Sequence, residues 1–312
     1  MTAKGAAQTV KKMREAVKAP LLMLVIYILL AASSSLTWLW GKDEQTAFAS
    51  AMVLQILIFV LPTLFYCKLT GLSLTKKLSL RMFAPGKAVL IIGLLGVMLF
   101  GSLTVSLLWS TVVGVVADGS VSASSAADSI TSMNPVYVIL TFCIVPAVCE
   151  EFVFRGVMLS EYVSYGPCAA IIITSVLFAM AHFSFAELPA RIFCGVVLAA
   201  SVYMVKSLYA SVILHLANNI MSVYLLPYIK RVVLQPRGVL FSVFIVTTLF
   251  LAFAVVVFRE AEGVYFEYAY DPDFEASGMS GKAPGKKNSA VSAFFSPTLI
   301  ICVLFFVIAA LV

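Results

Sequence analysis

Long, almost uninterrupted runs of apolar residues dominate the chain, and only short polar segments separate them. A helix needs about 20 apolar residues to cross a bilayer. The predicted spans are residues 20–40, 47–67, 88–116, 136–158, 167–183, 188–205, 207–226, 239–258 and 291–312. The alternating ten-residue segments of a membrane β-barrel are not seen in the sequence. We therefore expect an all-α fold, a polytopic transmembrane bundle of about 8–9 helices.

Composition supports this interpretation, because 62% of the residues are hydrophobic and only 12% are charged, whereas soluble domains carry about 25% charged residues. A cleaved signal peptide is the alternative for the first run, since three serines follow Leu21–Ala32. The apolar character resumes from Leu36 to Trp40, which favours a first transmembrane helix.

Lysines and arginines concentrate at the membrane borders, so the net charge of +6 does not indicate nucleic-acid binding. If nine spans alternate strictly, the inside segments collect 15 basic residues and the outside segments 4. The positive-inside rule then places the N-terminus in the cytoplasm. Short loops with this charge pattern are typical of a multi-pass protein of the bacterial cytoplasmic membrane.

The chain divides into a basic N-terminal segment, two flanking groups of helices and a central core. The predicted boundaries are 1–19 for the segment, 20–133 for the first helices, 134–227 for a four-helix central core and 228–312 for the last helices. Within the last part, residues 259–290 are acidic and then rich in Gly, Ser and Lys, which predicts a flexible loop. The six cysteines lack CxxC spacing and are predicted to be small buried hydrophobic residues.

Few ionisable side chains fall within the predicted spans. Such residues are costly in a bilayer, usually face the bundle interior and often mark a function. They are Glu150, Glu151, Arg155, His182, Arg191 and His215.

Helical spacing separates the two glutamates. Glu151 and Arg155 are four residues apart and are expected to pair on one face. Glu150 is rotated by about 100° and has no cation at helical spacing. An unpaired glutamate suits a general base. The alternative is a structural cluster in which both glutamates pair with Arg155.

The next span contains Phe178 and His182 on one helical face. If the two spans turn at Gly166-Pro167, Glu150 and His182 are each 16 residues from Gly166 and lie at similar depth. This matching depth aims Glu150 at His182. A satisfied core histidine is the alternative.

The seventh predicted span contains His215 and Asn219 on one face, with Asn218 off that face. Two donors aimed at one point suit stabilisation of an oxyanion during attack on an amide. An interhelical polar contact is the alternative.

The order EExxxR, FxxxH and HxxxN, each motif on its own apolar span, resembles the CPBP family of intramembrane proteases (CAAX protease and bacteriocin-processing, also called Abi). That family includes the eukaryotic type II CAAX prenyl endopeptidase. The resemblance covers about residues 134–227 and implies that Glu150 activates water, assisted by His182. It implies an oxyanion pocket of His215 and Asn219, and supporting roles for Glu151, Arg155 and Phe178.

The expected function is an intramembrane endopeptidase that cleaves near the cytoplasmic face by glutamate-activated water. The substrates would be membrane-associated peptides or lipidated proteins, through CAAX-type processing, leader or bacteriocin processing, or self-immunity. The expected partners are these substrates and the bilayer, with no nucleic acid. A non-catalytic scaffold or immunity protein and a proton-coupled carrier are the alternatives. No cofactor is expected. A divalent metal such as zinc stays open, with Glu150, His182 and His215 as its ligands.

Overall fold

A computed structural model describes residues 3–34, 43–74, 78–113, 133–225, 227–229, 239–269 and 290–311. The described part of the chain is helical and contains no strand. The helices are α1 (Ala3–Ser34), α2 (Glu44–Thr70), α3 (Ala88–Val113), α4 (Pro135–Tyr165), α5 (Pro167–Met180), α6 (Leu188–Val205), α7 (Leu208–Tyr224), α8 (Val239–Ala269), α9 (Ala290–Phe294) and α10 (Pro297–Leu311). The predicted all-α membrane bundle is confirmed.

Each of the first eight predicted spans corresponds to one helix over its described residues. Residues 35–40 and 114–116, which belong to the first and third predicted spans, lie outside the described residues. The helices differ in length. Within the described part of the chain, five helices are long and apolar enough to cross a membrane, and they lie in α2, α3, α4, α6 and α8. The apolar part of α1 is shorter, as are α5 and α10. With 14 residues, α5 extends only about 21 Å at 1.5 Å per residue, against a hydrocarbon core of about 30 Å. The protein is a multi-pass integral membrane protein.

Capping side chains mark the N-terminal ends of α2 and α4. The Asp43 carboxylate caps α2 by accepting hydrogen bonds from the Thr46 hydroxyl (2.6 Å) and amide (3.1 Å), and these bonds lower the pKa of Asp43. The Asn134 side chain accepts from the Val136 amide (3.0 Å) at the start of α4, where Pro135 occupies the first turn.

The predicted turn between α4 and α5 is confirmed. Gly166 adopts φ +101°, a conformation that L side chains rarely adopt, and Pro167 starts α5. The Phe154 and Phe178 rings, each 12 residues from Gly166, meet edge to face at 5.3 Å. The two helices therefore form an antiparallel hairpin in the expected register.

The core is formed mainly by α3, α4, α5 and α6, while α2 and α8 lie outside. About half of the apolar window of α3, α4 and α6 is buried, but only 22% in α2 and 6% in α8. The exposed faces of α2 and α8 are apolar, as lipid-facing surfaces are.

The C-terminal part corrects the sequence prediction in two places. The loop expected from residue 259 is wrong for residues 259–269, because α8 continues through Ala269. The expected last span is broken before Pro297 into α9 and α10, since proline lacks the amide that a continuous helix needs. Residues 270–289 lie outside the described residues.

Candidate functional site

The two glutamates lie in a short α-helical segment, Val145–Glu151, between two wider turns of α4. Ile139–Ile144 and Phe152–Met158 are π-helical. Pro146 lies in the first turn of the α-helical segment, and the wider turn before it accommodates a residue that has no amide to donate. Such turns occur frequently at functional sites.

Glu151 and Arg155 form the predicted ion pair, which is confirmed at 2.6 Å with both side chains fully buried. The guanidinium also donates to the Gly195 carbonyl of α6 at 3.0 Å and lies 4.6 Å from the centre of the Phe178 ring of α5. Arg155 therefore joins α4 to both neighbouring helices of the core.

The Glu151 carboxylate also contacts α7. The sequence did not indicate this contact. The Nδ1 atom of His215 lies 2.8 Å from Glu151 Oε1, and the Ser211 hydroxyl donates to Glu151 Oε2. Ser211, His215 and Asn219 recur every four residues on one face of α7. That spacing was the available signal for Ser211, whereas no sequence pattern could have indicated the Gly195 carbonyl.

Glu150 is buried but far less engaged than Glu151. Its side chain is 9% exposed, and its Oε2 atom lies 3.9 Å from His215 Nε2. No hydrogen-bond partner for Oε2 is found among the described residues. The imidazole within ion-pair distance of Glu150 is that of His215, whereas the sequence argument had aimed Glu150 at His182.

His182 lies just beyond the end of α5, and its Nδ1 atom is 3.1 Å from the Phe178 carbonyl oxygen. The Phe178 ring meets both imidazoles edge to face, at 5.3 Å for His182 and 5.7 Å for His215. The structure therefore gathers both histidines around Phe178. Phe183, the next residue after His182, has φ +48° and turns the chain away from the α5 axis.

Asn219 lies on α7, four residues after His215. Its side-chain amide donates to the Cys143 carbonyl at 3.4 Å, in the first wide turn of α4. Asn218 instead lines a cavity of about 70 Å³ between α3 and α7, together with Ser102 and Met221. The sequence argument had separated Asn218 from Asn219 in the same way.

A metal site is not preformed in the described part of the chain, which contains no group of three His, Cys, Asp or Glu side chains placed to hold an ion. The Nδ1 atoms of His215 and His182 face Glu151 and a backbone carbonyl. These contacts leave the Nε2 atoms of both rings as the ones that could bind a metal.

The six cysteines are free; Cys168 is exposed, and the other five are buried as expected.

Arg191 pairs with Glu187 in the exposed first turn of α6, at 2.5 Å.

Comparison with protein families matches residues 132–221 to the model described as type II CAAX prenyl endopeptidase Rce1-like. This central segment is similar to that family. The match spans the cluster from Cys143 to Asn219 and confirms the resemblance that the three motifs indicated. At the family level, the Rce1-like segment indicates a membrane protease. Neither a curated protein nor a solved structure matches the chain.

Proposed function

We propose that the protein is an intramembrane endopeptidase in which Glu150 activates the attacking water. The observation that carries the proposal is the contrast between two adjacent buried carboxylates. Glu151 accepts from Arg155, Ser211 and His215, whereas Glu150 Oε2 has no hydrogen-bond partner among the described residues. Glu150 is therefore the carboxylate available to take a proton.

These placements support a hydrolysis with Glu150 as the base. The Glu150 carboxylate takes a proton from water as the water oxygen bonds to the scissile carbonyl carbon. The carbonyl oxygen becomes an oxyanion. When the carbon–nitrogen bond breaks, protonated Glu150 returns the proton to the leaving amine. His182 assists by orienting the water, and no covalent enzyme intermediate forms.

His215 and Asn219 are proposed to stabilise the oxyanion. Because Arg155 keeps Glu151 as an acceptor, His215 Nδ1 carries a proton and faces Glu151. His215 Nε2 then donates only when the ring carries its second proton. The oxyanion role therefore requires an imidazolium in the reacting state.

The decisive experiment compares Glu150→Gln with the unaltered protein, purified in detergent, against a peptide library. Removal of the base should lower the rate of hydrolysis by about 100-fold or more. The variant should keep its thermal unfolding midpoint, since no hydrogen bond to Glu150 Oε2 is lost.

Hydrolysis that persists in Glu150→Gln would contradict the assignment of the base. The proposed reaction uses no metal, so a chelator should leave the rate unchanged. Activity lost on chelation and restored by zinc would contradict that part. Ion flux into liposomes without any cleavage would favour a proton-coupled carrier, and neither activity would favour a scaffold or immunity protein.

A further inference from the structure

Arg191 is an ionisable residue of the predicted spans to which the proposed reaction gives no role. It lies in the first turn of α6, and only residues 183–190 separate it from His182 at the end of α5. Within this connection the Ser184 hydroxyl accepts a hydrogen bond from the Glu187 amide at 3.4 Å. His182 and Arg191 therefore flank one short turn of the chain.

One face of α6 carries Arg191 next to the candidate site. Arg191 and Gly195 are four residues apart and share a helical face, with a rise of about 6 Å between them. The Gly195 carbonyl accepts a hydrogen bond from Arg155 at 3.0 Å. Arg191 also interacts electrostatically with Glu150 and with His182. The Arg191 charge therefore lies near the proposed base and near the imidazole proposed to orient the water.

The two guanidinium groups that interact with Glu150 differ in availability. Arg155 is 3% exposed and donates to the Glu151 carboxylate and the Gly195 carbonyl. The side chain of Arg191 is 35% exposed. A substrate that enters the cluster can therefore reach Arg191 but not Arg155.

Glu187 occupies only part of the Arg191 guanidinium. Its Oε2 atom accepts from Nε at 2.9 Å and from Nη2 at 2.5 Å, and Nη1 has no hydrogen-bond partner among the described residues. The Glu187 side chain is 52% exposed, and exposed ion pairs are weak. A second carboxylate can therefore bind beside Glu187 or displace it at little cost.

A cation at this position compensates for the charge of Glu150. An ionised Glu150 repels a substrate that brings a carboxylate close to the scissile bond, and burial strengthens this repulsion. Arg191 offsets it, because a guanidinium binds a carboxylate through two parallel charge-assisted hydrogen bonds. A neutral amide at the same place makes hydrogen bonds about half as strong. The arrangement therefore favours substrates with an acidic group.

We propose that Arg191 is a specificity-determining residue that binds a carboxylate of the substrate next to the scissile bond, in exchange with Glu187. The inference rests on the proposed endopeptidase function and names its substrates as peptides with an acidic group near the cleavage point. That group is an Asp or Glu side chain or the C-terminal carboxylate, since both present the same pair of oxygen atoms.

Paired peptides test the carboxylate site. A fluorescent peptide library contains each sequence in an Asp or Glu version and in its Asn or Gln version, with a free or an amidated C-terminus. The unaltered protein in detergent should cleave the acidic member of a pair with a kcat/KM about tenfold higher. In Arg191→Gln this ratio should fall close to one. The ratio compares two peptides on one preparation, so a loss of folded protein cancels.

Two further variants serve as controls. Glu187→Gln removes the competing carboxylate and should raise the preference for acidic peptides. Lys206→Gln removes a cation at the other end of α6, about 22 Å along the helix, and should leave the ratio unchanged. A preference that follows either the side chain or the C-terminus supports the site and identifies which carboxylate is bound. Equal kcat/KM for both members in the unaltered protein, or an unchanged ratio in Arg191→Gln, would overturn the proposal.

Failure of the endopeptidase function gives a different result. If no peptide is hydrolysed, that function fails, and binding of the same fluorescent pairs still tests Arg191. Anisotropy is then measured on the unaltered protein and on Arg191→Gln. Tighter binding of the acidic member that is lost in Arg191→Gln supports the carboxylate site, and equal binding of both members to the unaltered protein overturns it.

Discussion

Glu150 and Glu151 are neighbours in sequence, yet their environments differ because consecutive helix positions point about 100° apart. Glu151 faces α7 and accepts hydrogen bonds from three side chains. Glu150 points toward His215 Nε2 at 3.9 Å and keeps an oxygen without a donor among the described residues. One carboxylate is thus committed to structure, and the other is the one that we propose as the base.

Ser211 differs from most buried hydroxyls here because it donates to another helix. Thr63, Thr174 and Ser175, for example, donate to carbonyls in their own helices. We expect Ser211→Ala to lower kcat about tenfold with KM nearly unchanged, since a buried acceptor on Glu151 loses its donor and His215 is held less firmly. Steady-state kinetics in detergent measures this change.

Ser211→Thr keeps the hydroxyl and should retain most of the rate. Ser201→Ala is the matched control, because the buried Ser201 hydroxyl donates to the Leu198 carbonyl of its own helix. Equal losses in Ser201→Ala and Ser211→Ala would mean that Ser211 matters only for packing.

At the level of elements, the site depends on a close contact between α5 and α6. A Cβ atom at Gly195 would lie 2.8 Å from Ser175 Cβ and 2.9 Å from Ser175 Cα, so glycine permits the observed approach. The Gly195 carbonyl, held at that distance, receives Arg155. Gly195 therefore sets both the distance between α5 and α6 and the position of the Arg155 guanidinium.

Gly195→Ala should force α5 and α6 apart and lower the free energy of unfolding by about 1–3 kcal/mol, the usual cost of overpacking. Gly263→Ala in α8 is the control, because a Cβ atom there meets nothing within 4 Å. It should stabilise the protein by about 0.5–1 kcal/mol through helix propensity. Chemical unfolding in detergent compares the two, and equal stability of both variants would contradict the packing argument.

Across the whole molecule, the buried cluster connects four helices that are far apart in sequence. Arg155 and Glu151 of α4 bind α6 and α7 directly, and the guanidinium packs on Phe178 of α5. The buried Arg155–Glu151 pair therefore helps to hold α4, α5, α6 and α7 in position relative to one another.

Arg155→Met should therefore lower the global free energy of unfolding by about 3–5 kcal/mol, because it leaves the buried Glu151 charge without its cation. Arg191→Met breaks another i,i+4 pair, but the side chains of Arg191 and Glu187 are 35% and 52% exposed. Its effect should stay below about 1 kcal/mol. Similar unfolding midpoints for the two variants would contradict the structural role of Arg155.

The sequence was sufficient for features that depend on local spacing. Apolar runs located the helices, the i,i+4 spacing predicted the Glu151–Arg155 pair, and Gly166-Pro167 predicted the hairpin. Contacts between helices depend on how each helix is rotated about its axis, and the two π-helical turns of α4 alter that rotation. The approach of His215 to Glu150 and the carbonyl at Gly195 therefore required the three-dimensional structure.

The short α5 has a further consequence for the surrounding lipid. Both α5 and the neighbouring α10, of 14 and 15 residues, are shorter than the bilayer core, and membranes accommodate such hydrophobic mismatch by local thinning. A thinner bilayer next to α5 and α10 would bring the interfacial water closer to His182. The acyl-chain length of the host membrane thus becomes one of the variables that set access to the cluster.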